Sequence, residues 1–414
     1  MSMVLKYKYA VYITLFISMF SGVLTSVFGV PSIIVYVCDL MNCLYFTYRH
    51  IAIKKTRYTT VIGIAILVIF IGIALNMQSP LLILWGARNN FRFLIFSVMV
   101  LTFMSPDDIR WIERKFNFLI LINFALIFYE YLFLGSVGDY LGGLFGVSQG
   151  CNGGLNIFLI IMSAYYIINF IETDGVSTFW LIVFFITSII IGGLSELKFL
   201  FIELILVVLI CGVFSRWSLK KIIMIVLGIL VVQLGFSIYA ISNPNYADNA
   251  SISALWNSIT SSTSYGTEND IGRSNQIEYV LDHFLHTPME RLFGIGFGNG
   301  EYSSTFDFFT SETYRQYSST HYFWFSAAWM LLETGLIGLI VYLSIFILYA
   351  LDMLKRYQRN DDSYYLFGFI LAIMAVINVF YNVAMRTDYG YLMYFAMMIP
   401  YVMEKEKRTN LNDE

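Results

Sequence analysis

Apolar residues in this chain gather into about twelve runs, at 9–28, 31–48, 60–76, 85–104, 117–135, 154–171, 178–192, 196–214, 220–240, 321–347, 363–382 and 388–403. Each is close to the roughly 20 residues that a helix rising about 1.5 Å per residue needs to cross about 30 Å of hydrocarbon. Backbone polar groups in hydrocarbon must be satisfied within the segment itself, so runs of this length build helices rather than open sheets. The expected fold class is all-α: a polytopic integral membrane protein with about 12 transmembrane helices and a large external loop containing short helices. At 58% hydrophobic and 13% charged residues, the composition excludes a water-soluble globule, a disordered chain and a nucleic-acid binder.

The runs divide the chain into nine spans within 1–240, a large loop over 241–320, and three spans with a short tail over 321–414. The first run follows Lys6 and Lys8 as a signal sequence would, but no small-x-small cleavage site stands out after it, which reads as an uncleaved first span. Cys38, Cys43 and Cys211 fall inside apolar runs and Cys151 near a loop, which is no disulfide framework. A net charge of −3 gives no reason to expect a polyanionic partner by bulk electrostatics.

Where the charges lie is more informative. With a cytoplasmic N-terminus, the inside segments hold Lys6, Lys8, Arg49, Lys54, Lys55, Arg57, Arg110, Arg114, Lys115, Arg216, Lys220, Lys221, Lys355, Arg356, Arg359, Lys405, Lys407 and Arg408. That is 18 of the 25 cations, as the positive-inside rule requires. The other seven, Arg88, Arg92, Lys198, Arg273, Arg291, Arg315 and Arg386, stand at or beyond the outer ends of spans. Each has the option of snorkelling or pairing with a carboxylate; as a set they point to an anion site.

The loop over 241–320 carries nine acids against three arginines, a balance typical of a solvated surface. Within it Ile277, Val280, Leu281, Phe284 and Leu285 recur at the spacing of one apolar helix face, with Asp270 or Ser274 as cap and Pro288 beyond the end. Such a helix lies on the membrane surface or on the span bundle. Arg273 is then at its N-terminal end, where free N–H groups favour an anion.

His321 opens the tenth span in Ser-Ser-Thr-His-Tyr-Phe-Trp-Phe. An imidazole there either exchanges a proton at working pH or anchors the span at the interface. His50, His283 and His286 are weaker candidates. Gly294-Ile-Gly-Phe-Gly-Asn-Gly300 lacks the βαβ context of a dinucleotide site and reads as a tight backbone that lets another chain or a ligand approach, or as a plain turn. Glu196 and Lys198, in the break between two spans, are either functional or each other's partner. Asp39, Glu130, Glu203 and Glu333 sit in or near apolar runs as partners for the outer arginines or as cavity-lining groups. Asp107-Asp108 and Asp361-Asp362 lie beside cytoplasmic basic residues, where a solvated face is the default. No zinc spacing, P-loop or nucleophile elbow is present, and the first outer connection near Gly29 has no acid that would hold a metal.

About twelve spans with both ends inside, a large late outer loop, Gly272-Arg273-Ser274, Pro288 with Arg291 to Gly300, His321, and Leu332-Glu333-Thr-Gly335-Leu-Ile-Gly338 together resemble the Wzy-type O-antigen polymerases and related O-antigen ligases, which are GT-C-like membrane glycosyltransferases. Gly143-Leu-Phe-Gly146 resembles a further family feature; the motif-level likeness covers about residues 272 to 338. The resemblance implies a bacterial inner-membrane enzyme, with its 241–320 loop and active site periplasmic. It would transfer a growing glycan from undecaprenyl pyrophosphate to the next lipid-linked repeat unit without metal or cofactor. A chain-length regulator and a flippase are the implied partners.

The resemblance also implies His321 as catalytic base and Arg273 as catalytic pyrophosphate-binding arginine. Lys198 takes a place where relatives often have arginine, keeping the charge but losing the bidentate fork. Arg88 and Arg92 resemble arginines at the outer end of an early span, and Arg291 and Glu196 complete the expected substrate-binding set. Tyr265, Tyr302, Phe306, Phe308, Tyr314 and Tyr317 either stack on sugar faces or pack a core. A ligase delivering the chain to lipid A core and a lipid-linked oligosaccharide flippase are the alternatives.

Overall fold

The computed structural model describes residues 2–48, 57–76, 79–173, 175–215, 219–242, 248, 251–260 and 271–412. Arg49, His50, Lys54, Lys55, Arg216, Tyr265 and Asp270, singled out above, lie outside the described residues. Among those described, every regular element is a helix and no strand forms. The first ten are α1 (Ser2–Ser26), α2 (Ile33–Tyr48), α3 (Arg57–Asn76), α4 (Pro80–Phe103), α5 (Pro106–Glu113), α6 (Phe116–Phe133), α7 (Asn152–Ile168), α8 (Thr178–Leu194), α9 (Lys198–Phe214) and α10 (Leu219–Ser242). Short helices α11 (Ile252–Thr260), α12 (Gln276–His283), α13 (Pro288–Phe293) and α14 (Glu312–Tyr317) follow, then α15 (Ser326–Asn360), α16 (Ser363–Tyr381) and α17 (Gly390–Asn412).

Among the described residues, seven segments are long and apolar enough to cross a membrane by length and composition: Tyr7–Ser26, Arg57–Asn76, Pro106–Phe133, Asn152–Thr173, Leu219–Ser242, Ser326–Asn360 and Ser363–Tyr381. Together with the shorter apolar helices, they make this a membrane protein. α7 and α16 are the most enclosed of the seven and α3 the least, lying at the edge against α15. α10 packs on α8 and α9, and α17 on α4 and α16.

Helix ends follow local chemistry. Pro80 opens α4 at a position whose N–H has no intrahelical partner in any case. Ser105 and Asp108 form a capping box, the Ser105 N–H donating to Asp108 Oδ2 at 2.8 Å, which starts α5 inside a stretch read as cytoplasmic loop. Asp108 is therefore no solvated acid: it is buried and also holds Lys8 and, at 2.9 Å, the Tyr12 hydroxyl. Asp362 likewise caps α16 by accepting from the Tyr364 N–H at 3.0 Å.

Basic residues from distant segments meet at one end of the bundle. There Lys8 pairs with Asp108, Arg110 with Glu406 and Arg356 with Glu404 at 2.7 Å, and Lys405 donates to the Met104 carbonyl at 2.8 Å. The start of α1 and the later part of α17 thus share that end.

At the other end, residues 271–325 cap the bundle. α12 covers Gln276–His283 with Asn275 at its N-cap, so its first turn begins later than the sequence reading had it. Its apolar face lies on the bundle rather than on a membrane surface, with Val280 and Leu285 buried and Phe284 against the Tyr317 and Tyr322 rings. The glycine-rich stretch serves close approach to another part of the chain. α15 breaks at Gly335 (φ 67°), and Ile295 N–H donates to the Leu332 carbonyl at the break, 2.9 Å away. A Cβ on Gly335 would lie 2.3 Å from the Leu292 carbonyl carbon, and one on Gly294 (φ 77°) 2.3 Å from that of Glu333. Only glycine supplies both this backbone conformation and the space at the crossing.

Candidate functional site

Beneath that cap lies a cavity of about 1240 Å³. The last turn of α1, the first turns of α2, α7, α9 and α15, the Arg88 turn of α4, the ends of α10 and α16, and the 382–389 connection all contribute to its wall. Arg88, Lys198, Arg273, Arg386, Glu196 and Glu301 line it together.

One part of the wall comes from the break between α8 and α9. Glu196 there holds φ 55°, a left-handed conformation that costs a non-glycine residue about 1–3 kcal/mol. The mutual pair that the spacing offered does not form. Among the described residues, neither the Glu196 nor the Lys198 side chain has a salt bridge or hydrogen bond. Lys198 Nζ instead rests 4.4 Å from the centre of the Tyr239 ring. Burial and the neighbouring Asp139 push the Glu196 carboxyl above its ordinary range, with Lys198 opposing. Asn152 at the start of α7 fastens the parts together: its Nδ2 donates to Asp139 Oδ1 at 2.7 Å and to the Ser195 carbonyl at 3.2 Å.

Arg273 lies in the turn before α12, its guanidinium 4.5 Å from the centre of the Tyr381 ring. Gln276 fixes that turn, its Nε2 donating to the Arg273 carbonyl at 2.9 Å and the Phe380 carbonyl at 2.7 Å. Arg273 and Lys198 thus both face the cavity from aromatic seats. A cation on such a seat gains roughly 0.5–2 kcal/mol from the ring.

The other cations are arranged differently. Arg88 Nε donates to Asp39 Oδ2 at 2.6 Å, and Arg92 binds Asp388 Oδ1 at 2.5 Å and Asp39 Oδ2 at 3.5 Å. Arg386, in the connection between α16 and α17, bridges Glu301 Oε1 at 2.5 Å and Glu333 Oε2 at 3.3 Å and lies over the Trp329 ring, 4.2 Å from its centre. Asn89 Nδ2 donates to Glu301 Oε2 at 2.7 Å, and the Gly300 N–H to Glu333 Oε1 at 3.1 Å. Burial pushes the Glu301 carboxyl up, with Arg386 opposing. Three arginines against four carboxylates form a nearly self-compensated network that stiffens this side of the cavity.

Of the acids expected as partners, Asp39 and Glu333 hold the outer arginines. Glu130 instead accepts from the Gly143 N–H at 2.8 Å, and Glu203 from Asn156 and Asn378, both at 3.0 Å. Arg92 is buried behind the cavity surface rather than lining it. Arg291 lies on the outside of the cap, facing Asp282 at 3.6 Å and donating from Nε to the Leu285 carbonyl at 3.2 Å, away from the cavity. His321, at φ 57°, does not line the cavity: its ring stacks on Trp324 with centres 3.8 Å apart, and Trp324 forms the wall. Its segment is tied to that of Arg273, since the Ile271 N–H donates to the Thr320 carbonyl at 3.2 Å.

Tyr36, Trp85, Tyr302, Phe323, Trp324 and Trp329 give the cavity an aromatic side. Of the loop aromatics, Tyr302 lines it, whereas Phe306 and Phe308 pack on Phe309, Tyr314 stacks on Tyr302 and Tyr317 meets Phe284. Arg386 and Glu301 escaped the sequence reading as site residues, although one was among the seven outer cations and the other among the nine loop acids. Among the described residues no group of three or more His, Cys, Asp or Glu side chains is placed to hold a metal ion. No protein-family model matches the chain, and no curated protein matches it either.

Proposed function

We propose that this protein is a bacterial inner-membrane glycosyltransferase with about twelve spans, cytoplasmic termini and its cavity facing the periplasm. It transfers a growing glycan from undecaprenyl pyrophosphate to the non-reducing end of the next lipid-linked repeat unit, as a surface-polysaccharide polymerase. The observation that carries the reading is that Lys198 and Arg273, from distant parts of the chain, face one cavity from aromatic seats, with Arg88 and Arg386 in the same wall. A diphosphate is the ligand such a pair suits. Charge-assisted hydrogen bonds to it contribute about 1.5–3 kcal/mol each and strengthen as the leaving oxygen gains charge. No metal ion is needed for that neutralisation. The aromatic side offers flat apolar faces for sugar rings. A flippase would carry its cations along a path through the membrane, whereas these lie at one end of the bundle, above the closely packed α7 and α16.

The test is reconstitution of the purified protein in vesicles with lipid-linked repeat units alone. A ladder of extended lipid-linked products is expected. Extension only after lipid A core is added would make it a ligase, and movement of the units across the bilayer without extension would make it a flippase.

A further inference from the structure

Glycosyl transfer to a hydroxyl also needs a group to take that hydroxyl's proton. His321 is screened from the cavity by Trp324, and the carboxylates of Asp39, Asp388, Glu301 and Glu333 are already engaged by arginines. Glu196 differs from all of these. It lines the cavity, is half-buried, has no salt bridge or side-chain hydrogen bond among the described residues, and stands two residues from Lys198. Its placement is enforced rather than incidental. The left-handed backbone turns it toward the 138–140 turn, whose Gly138 (φ 58°) leaves room for it: a Cβ there would lie 3.0 Å from the Glu196 carboxyl carbon. Asn152 locks both turns in this relation.

We propose that Glu196 is the general base of the transfer reaction, a role that rests on the function proposed above and reassigns the proton from His321. The acceptor hydroxyl oxygen bonds to the anomeric carbon of the donor sugar. The bond from that carbon to the phosphate oxygen breaks, and its electron pair leaves with the diphosphate held by Lys198 and Arg273. The hydroxyl proton passes to a Glu196 carboxylate oxygen and from there to water. His321 acts as a positioning residue through its stack on Trp324.

The charged groups acting on Glu196 are Asp139 from the facing turn and Lys198 on its own segment; Arg273, which lines the same cavity, acts on Lys198. Burial and Asp139 hold the carboxyl above its ordinary range, so the ionised base is lost as pH falls and kcat drops on the acid side.

The experiment follows extension of lipid-linked repeat units by wild type, Glu196→Gln, Glu196→Asp and His321→Ala across pH, with farnesyl diphosphate binding measured on each. Glu196→Gln is expected to lose about 10²- to 10⁴-fold in kcat, to lose the acid limb, and to bind farnesyl diphosphate within about twofold of wild type. Glu196→Asp should recover part of the rate with the limb restored. His321→Ala should retain the limb with a smaller loss. Wild-type kcat in Glu196→Gln, or disappearance of the limb in His321→Ala alone, overturns the assignment while leaving the transferase reading in place. A wild-type protein that extends nothing overturns the transferase reading itself and the base with it.

Discussion

Replacing Arg386 with Ala is expected to lower the stability of the protein in detergent by about 3–5 kcal/mol, the usual loss when one member of a buried ion pair is removed. Among the described residues, Arg386 is the one cation in contact with both Glu301 and Glu333, and all three side chains are almost fully enclosed, at 3%, 0% and 0% exposure. Without it the two carboxyls face each other with Arg88 and Arg92 as the nearest compensation for Glu301. The loss has a definite pH dependence. Burial already raises the Glu301 pKa in the folded chain, and deleting its counter-charge raises it further. A folded state that holds a proton the unfolded state releases is favoured at low pH and loses that advantage as pH climbs from the ordinary carboxylate range. Thermal unfolding followed by tryptophan fluorescence should therefore show a lower midpoint for Arg386→Ala than for wild type, with the gap wider at pH 8 than at pH 6. Equal midpoints at both pH values would remove Arg386 as the keystone of this wall.

Arg273→Lys is the second large effect. Lysine keeps the charge over Tyr381 but offers a point donor in place of the planar fork, and a bidentate contact to phosphate gives way to a single one. Loss of one charge-assisted hydrogen bond worth about 1.5–3 kcal/mol in the transition state corresponds to a fall of roughly 10- to 100-fold in kcat/KM. Arg315 is the control, because it lies on the surface, binds Asp307 at 2.7 Å and is no part of the cavity wall. Arg315→Lys should leave turnover within about twofold. Steady-state kinetics on the two variants decides the matter, and equal losses would mean that Arg273 acts without its fork.

Much of the architecture was legible because apolar runs of this length form helices; a helix lies within every run marked in the sequence, although α15 starts at Ser326 and leaves His321, read as opening that span, in a turn before it. What lay between runs was less legible. α5 follows from a four-residue capping box whose partner Lys8 is about a hundred residues away, and the Gly335 break makes sense only once Gly294 is known to press on it. The site divides in the same way. Lys198, Arg273 and Arg88 stood out because outward cations beside a membrane are few. Arg291 belonged to the same few, yet it ends on the outer face of the cap, since sequence places a residue between spans but does not show which way its helix turns it. Arg92 ends behind the wall because Asp39 from α2 and Asp388 from the connection between α16 and α17 close around it. Glu301 and Arg386 carry no local motif, and their relation exists only across 85 residues of chain. The φ of 55° that turns Glu196 toward Gly138 left no mark in a stretch that reads simply as a short break.

Whether Lys198 and Arg273 together hold a lipid diphosphate is decided by a structure of the protein with undecaprenyl pyrophosphate bound. Both phosphates are expected between the Lys198 ammonium and the Arg273 guanidinium, with the first isoprene leaving toward the membrane. Phosphates bound at Arg291, at the basic end near Arg110, or anywhere out of reach of both side chains would contradict it.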